Sequence, residues 1–547
     1  MNEAPTSPRH SMRVFAESRF AGALKRALEL AILGLLAAIA WVLITGGGDI
    51  LWAGRKLFSF RHDGAAARVC ASLVIIRILM DSAARARVSR LLRPLEALAE
   101  RKATPWLIAG FFAALLAWIK VAEFLSFHTH AIDLSMFDQA VSNTLHGRFM
   151  HTTVLRENFF HYHFCPILLL FVPFYALYDS PLVLLVAQGL AVGASALPLF
   201  FIARQRLGAP FAAALLTVAW LGNRFLMDGA MYNFHIELLE PLFFLAAFAA
   251  LETRRWIPYF ACLILALMCK EDVGLYTFGL GCYGLLSPRT RRMAVVTLVL
   301  SVAWFVVSVK LVKPPAEALG DYRYLSRYGK YGSSFVQVAA NMALHPHWVA
   351  ADLLSKTTFK VLGTVLFLPL AAPLATLLLC GPPLLVNLTA DSMCRKLVGY
   401  YAAPVVPFVF IAAVLGLANL CNRWPDRRRG ILWIVCAFLL LVNLGHWKWH
   451  RVTERHAAGR ALLRTIPSDA RIIAQGHLVP QLAPRPEVYV LNDRSVGERA
   501  DYVILDLQGP TVPFKKDEFD RLLARYRESP DWRLAADEQG FLVFQKR

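Results

Sequence analysis

Three separated segments bring ionisable side chains to the ends of apolar stretches. The first reads HTHAIDLSMFDQAVSNTLHGRF and then ENFFHYHFCP, and carries Asp133, Asp138, Arg148, Glu157, His161 and His163. The second, YNFHIE, runs from Tyr232 to Glu237 and includes His235; the third, CKED, runs from Cys269 to Asp272. A cation beside carboxylates, as in Lys270–Glu271–Asp272, suits holding a phosphate leaving group near a base. An interfacial turn with Lys270 paired to Glu271 or to a lipid phosphate would use the same residues. Three charges at the bilayer centre would cost about 2.5–3.5 kcal/mol each, so the turn lies at the interface or faces a polar cavity.

Asp133 and Asp138 stand five apart and do not share a helical stripe, so no matched carboxylate pair is implied. One of them is expected to work while the other supports the fold. His161 and His163, and likewise His128 and His130, are spaced by two, without a zinc-type motif such as HExxH. Structural or hydrogen-bonding roles are expected for them and no metal ligand set is read; whether a divalent metal takes part is left open.

The elements that must position these residues are helices in a bilayer. The chain has 547 residues, 57% of them hydrophobic, and a mean hydropathy of +0.48. That apolar content exceeds the roughly 45–50% of a soluble domain and is clustered in runs close to the roughly 20 residues of a membrane helix. The net charge of +20 is dispersed in short basic patches between those runs, such as Arg289 to Arg292 and Arg427 to Arg429. This is the pattern of cytoplasmic loops, not of a nucleic-acid surface. The nine cysteines lie in or beside apolar segments and read as small buried hydrophobes.

The basic N-terminus before an apolar stretch at 27–44 predicts an uncleaved first span from a cytoplasmic N-terminus. A short span at 71–80 carries Arg77, 84–102 reads as a cytoplasmic amphipathic helix, and 105–125 crosses outward. The loop 126–163 is then external, and the Pro-broken stretch 164–178 lies in the interface. Spans follow at 182–203, 210–226, 238–252, 256–269, 273–286 and 293–312. After a second outer loop, 313–357, come two Pro-broken spans within 359–390, then 404–420 and 431–446. The fold expected is an all-α polytopic bundle of about 11–13 transmembrane helices with a small C-terminal α/β domain outside. The domains are 1–104, an N-terminal extension; 105–450, the transmembrane domain; and 451–547, the extracytoplasmic domain. In the last, ARIIAQ, EVYVL, ADYVILDL and FLVFQ predict strands and KDEFDRLLARYRE a helix. No phosphate loop or triad is found there, and a docking or lid role is expected.

AIDLSMFDQAVSNTLHGR, HFCPILLLFVPFYALY, ARQRLG, YNFHIE, CKEDVGLY and YYAAPVVPF, in that order, resemble a bacterial membrane-protein family. It is the domain-of-unknown-function family numbered two-zero-seven-nine. The resemblance covers about residues 120–545; Ile236 stands where the family more often has proline. That family in turn resembles the GT-C superfamily of membrane glycosyltransferases. By position, the resemblance implies Asp133 as base with Asp138 as runner-up, Lys270 and Arg148 as phosphate contacts, and Glu237 as a cavity carboxylate. His163, His235, Glu271 and Asp272 complete the substrate-binding set. It implies a polyprenyl-phosphate sugar as donor, an acceptor at the outer face of the bacterial inner membrane, and membrane lipids and a lipid-linked sugar as partners. The competing readings are a transporter or lipid flippase, which would show inverted repeats and mid-membrane charges, and a non-catalytic scaffold for envelope assembly.

Overall fold

The structure, a computed structural model, describes residues 22–37, 39–40, 48–52, 55–60, 63–312, 322–391, 393–443, 447–483, 485–492 and 500–547. Among them, four helices are long and apolar enough to cross a membrane: Thr104–Leu125, Leu182–Leu207, Arg291–Leu311 and Gly399–Arg423. Pro210–Leu221 and Arg224–Ala230, bent by 49°, make a fifth if taken as one span. The hinge has a local cause: Asn223 turns its side-chain carbonyl back to accept from the Phe225 and Leu226 amides and starts a new helix.

The other stretches read as spans are helical but short. Glu240–Glu252, Trp256–Leu267, Val273–Gly284, Pro373–Leu388 and Arg428–Val442 have between 12 and 16 residues. A helix rising about 1.5 Å per residue needs about 20 residues for a hydrocarbon core about 30 Å thick. By length and composition the described residues supply four or five spans, and a count of 11–13 requires the short helices as well. The stretch at 164–178 is a 3₁₀ turn, Pro166–Phe171, followed by the short helix Val172–Leu177. Near the N-terminus the chain is helical at 22–37 and forms a β-ribbon, Gly48–Trp52 with Arg55–Phe60, that the sequence reading lacked. The remainder of the first predicted span lies outside the described residues. Asp63–Leu79 follows, and its Arg77 is held by two hydrogen bonds on Glu29, which supplies the charge partner that stretch needed.

Gly399–Arg423 is the central helix, with 89% of its apolar window buried. Thr104–Leu125 and Leu182–Leu207 pack closely through small residues. A Cβ on Gly189 would come within 2.7 Å of the Ala117 amide, and one on Gly193 would fall on the Ala113 backbone. Small residues four apart let backbones approach where no hydrophobic force draws helices together. Gly193→Val is expected to cost about 1–3 kcal/mol by overpacking, read as a lower thermal midpoint in detergent. An unchanged midpoint would mean that the two helices separate freely.

The C-terminal sheet has the order Val488–Val490, Ile472–Ala474, Tyr502–Asp506, Phe541–Lys546, Trp532–Glu538. The first three strands are parallel and the last two antiparallel. Lys516–Glu528 covers one face through Phe519, Leu522 and Tyr526. The other face buries Leu463 of Glu454–Arg464 together with Phe127 and Ala131 of the first loop, so the sheet is docked on the helical bundle by a shared core. The dock is pinned by the Ala131 amide donating to the Gly476 carbonyl at 2.8 Å and the Thr153 hydroxyl donating to the Val488 carbonyl at 2.6 Å.

Candidate functional site

The three polar segments converge beneath the C-terminal domain. Asp133 sits in a π-turn, Ala131–Ser135, ahead of the helix Met136–Leu145. One of its oxygens accepts from the Tyr232 hydroxyl at 3.1 Å and the other is 3.3 Å from His235 Nε2. Burial alone would raise this carboxyl, but His235 and Tyr232 outweigh it and hold its pKa below the usual value. Asp133 is therefore ionised at neutral pH.

His235 is fixed from three sides. Its amide donates to Gln188 Oε1 at 2.7 Å, its ring stacks on Tyr400 at 3.5 Å between centroids, and its Nδ1 is 3.7 Å from Glu237 Oε2. Neither ring approach, to Asp133 or to Glu237, is aligned as a hydrogen bond, and His235 Nε2 and Glu237 Oε2 are buried without such a partner. Glu237 Oε1 accepts from Lys270 Nζ at 2.7 Å in a buried ion pair. Burial pushes the Glu237 carboxyl up, yet Lys270 and then His235 bring its pKa well below the usual carboxylate range. Asp133, His235, Glu237 and Lys270 thus form one polar chain drawn from three segments. Beside it, Glu271 Oε1 lies 2.9 Å from His163 Nδ1 and accepts from the Tyr322 hydroxyl at 3.2 Å. Asp272 accepts from the Tyr276 hydroxyl at 2.8 Å.

Two cavities flank this chain. A cavity of about 660 Å³ has Lys270, Glu271, Asp272, His163 and Arg327 at one end, and apolar walls that include Phe278, Phe305, Phe335, Met342 and Leu377. A second, of about 450 Å³, opens on the other side of Asp133, between Tyr232 and the C-terminal domain. Asp133 and Lys270 therefore border different cavities and communicate through His235 and Glu237.

Arg327 was not singled out by the sequence. It lies in the turn Leu325–Tyr328 with its guanidinium 4.4 Å from the Tyr324 ring centroid, and among the described residues no carboxylate pairs with it. Lys270 is already committed to Glu237, which leaves Arg327 as the available cation of the larger cavity. The signal was present in RYLSRYGKY, cationic residues interleaved with tyrosine in the second long loop. Glu240 was also missed: it lines a polar cleft with Glu237, Lys270, Asp272 and Arg327, and both its oxygens are buried without a hydrogen-bond partner.

Two expected site residues are not brought to the chain. Arg148 is exposed beyond the end of Met136–Leu145 and borders neither cavity. Asp138 is buried one turn beyond Asp133, accepts from the Tyr175 hydroxyl at 2.9 Å, and is pushed up to about 8 by burial. A carboxyl whose folded pKa exceeds its unfolded one binds more protons when folded, so it subtracts stability as pH rises from about 4 to 8. Asp138→Asn is expected to flatten the pH dependence of the melting temperature across that window and to melt no lower than wild type at pH 8. A pH profile identical to wild type would show Asp138 ionised inside the fold. Among the described residues no three histidine, cysteine, aspartate or glutamate side chains are gathered to hold a metal ion.

Fold and site together define a polytopic helical membrane protein with a docked α/β domain and a buried ionisable chain between two cavities. The family model described as "Predicted membrane protein (DUF2079)" matches residues 123–543, and the chain belongs to that family. No curated protein matches the sequence. Among solved structures, ArnT from Cupriavidus metallidurans bound to undecaprenyl phosphate is similar at 15% identity and a TM-score of 0.48, covering 81% of this chain and 98% of that one. The apo ArnT structure is similar at 15% identity and a TM-score of 0.46, with the same coverage.

Proposed function

We propose that this protein is a membrane glycosyltransferase that moves a sugar from a polyprenyl-phosphate donor to an envelope acceptor at the outer face of the bacterial inner membrane. In this reading the N-terminus is cytoplasmic, the C-terminal domain is extracytoplasmic, and the chain divides at 1–104, 105–450 and 451–547. The observation that carries the reading is the 660 Å³ cavity, apolar along its walls, whose polar end holds Lys270, Glu271, Asp272, His163 and the carboxylate-free Arg327, with His235 and Glu237 between Lys270 and Asp133. Apolar walls suit a polyprenyl chain, and the Arg327 guanidinium, which no carboxylate pairs among the described residues, suits its phosphate.

The chemistry follows from this placement. The step requires the donor sugar to reach from the larger cavity past His235 and Glu237 to Asp133, where an acceptor oxygen attacks the anomeric carbon as the bond from that carbon to the phosphate oxygen breaks. The bonding pair leaves with the polyprenyl phosphate, whose charge Arg327 meets, beside the Lys270–Glu237 pair. Asp133 takes the acceptor proton. A carboxylate held below its usual pKa is a weak base, but the proton becomes strongly acidic once its oxygen bonds to carbon, so late transfer suffices.

Native mass spectrometry of the gently purified full chain tests the donor. Wild type is expected to carry a polyprenyl phosphate or its sugar adduct. Arg327→Ala is expected to retain about tenfold less, the loss of one charge-assisted contact. Absence of polyprenyl species from wild type, or retention indifferent to Arg327, would overturn the reading.

A further inference from the structure

The C-terminal domain does more than cap the bundle. Strands Ile472–Ala474 and Tyr502–Asp506 are adjacent and parallel, with Val488–Val490 on the far side of the first and Phe541–Lys546 on the far side of the second. From the first strand the chain passes outward to Val488–Val490, whereas from the second it passes to the opposite edge. The carboxyl ends of two such strands form the crevice where open α/β sheets bind ligands. Here that crevice faces Asp133. The loop after the first strand supplies His477 and the loop after the second supplies Val512, and both line the 450 Å³ cavity with His130, Asp133, Tyr232 and Asn233.

His477 is built into this wall. It is only 4% exposed, its Nε2 lies 3.2 Å from Asp506 Oδ2, and its buried Nδ1 has no hydrogen-bond partner. Asp506 ends the second strand and also receives the Arg455 guanidinium and, at 2.9 Å, the Gln508 amide. Burial raises the Asp506 carboxyl, but His477 and Arg455 bring it below the usual range, so it is a carboxylate and fixes the proton of His477 on Nε2. Nδ1 is left as an acceptor. Gly476 permits the close approach, because a Cβ there would collide with the His130 ring.

We propose that this crevice binds the acceptor as a neutral, hydroxyl-rich saccharide, one hydroxyl of which donates a hydrogen bond to the His477 imidazole. The assignment of a saccharide as acceptor rests on the transfer reading given above. The lining argues for that ligand class. Among the described residues no lysine or arginine lines the cavity, so it offers an anion no counter-charge. The Asp133 carboxylate already accepts from the Tyr232 hydroxyl and lies 3.3 Å from His235 Nε2. What remains is a carboxylate, a phenol, an amide and imidazoles beside Ile132, Pro510 and Val512. Such mixed donors and acceptors with small apolar faces match the hydroxyl edges and C–H faces of a pyranose.

Saturation-transfer NMR on the full chain in a sugar-free detergent tests this, with the methyl glycosides of glucose, galactose, mannose, arabinose and N-acetylglucosamine as probes. At least one glycoside is expected to receive saturation from wild type. The signal should fall about fivefold in His477→Ala, the loss of one hydrogen bond, and vanish in Val512→Trp. Val512 is 65% exposed, so tryptophan there fills the crevice without opening the core, and the test stands even where the His477 variant fails to fold. No transfer to any glycoside, or transfer that persists in Val512→Trp, would overturn the proposal. Retention of polyprenyl phosphate, measured on the same preparations, separates the two readings: lipid bound without a glycoside removes the saccharide site alone, and a glycoside bound without lipid removes the donor reading alone.

Discussion

Replacing Asp133 by asparagine is expected to lower sugar transfer by about 100- to 10,000-fold, the usual contribution of a positioned base, while leaving the melting temperature close to that of wild type. The asparagine carbonyl still accepts from the Tyr232 hydroxyl, now at 3.1 Å from the carboxylate, and the side chain retains its volume in the half-buried π-turn. What disappears is the site that takes the proton when the acceptor oxygen bonds to carbon. The pH profile offers a second check. Since Asp133 stays ionised below the usual carboxylate range, wild-type activity should persist into mildly acidic buffer and fall only as pH drops through that lowered pKa. Wild-type turnover in a folded Asp133→Asn protein would remove Asp133 from the chemistry.

Lys270→Met should produce the largest loss of stability, about 3–5 kcal/mol, as expected for a buried pair stripped of one partner. Glu237 and Lys270 are each 6% exposed, and Glu271 and Asp272 adjoin them, so the variant leaves several carboxylates around a methionine. In wild type, Glu237 has a folded pKa below its unfolded one. Its contribution is therefore complete above the unfolded carboxylate pKa and is lost as pH falls through the lowered folded value. Without Lys270 that pKa rises and the order reverses: the variant should be relatively more stable near pH 5 than near pH 8. Lys270→Met combined with Glu237→Gln should recover most of the loss, because no unpaired charge then remains at that position. A double variant no more stable than the single one would mean that the pair is not the source of the cost.

The predicted elements of the C-terminal domain were legible because β-branched and aromatic runs such as ADYVILDL are buried on both faces of the sheet. Trp532–Glu538 was missed for the complementary reason: it is an edge strand, mostly exposed, so WRLAADE shows no apolar alternation. The polar segments were legible as three charged interruptions of apolar sequence. Their internal assignments were not. Asp138 and Asp133 differ only in whether a helix turns them inward to Tyr175 or outward to Tyr232, and spacing cannot decide that. Arg148 and Arg327 are both loop arginines, and only the packing of the second loop brings Arg327 to the cavity.

By itself the sequence determined the helical, membrane-embedded class, the small α/β tail and the three segments that carry the ionisable groups. Each of these follows from local composition, since apolar length, strand alternation and the cost of charge in lipid are read within a single segment. Tertiary structure alone decided which groups meet: His235 between Asp133 and Glu237, Arg327 at the end of the apolar cavity, and His477 across the crevice from Asp133. Those meetings join residues far apart in the chain. They depend on how helices with nearly uniform apolar surfaces pack through glycine and alanine contacts, and hydropathy carries almost no record of that packing.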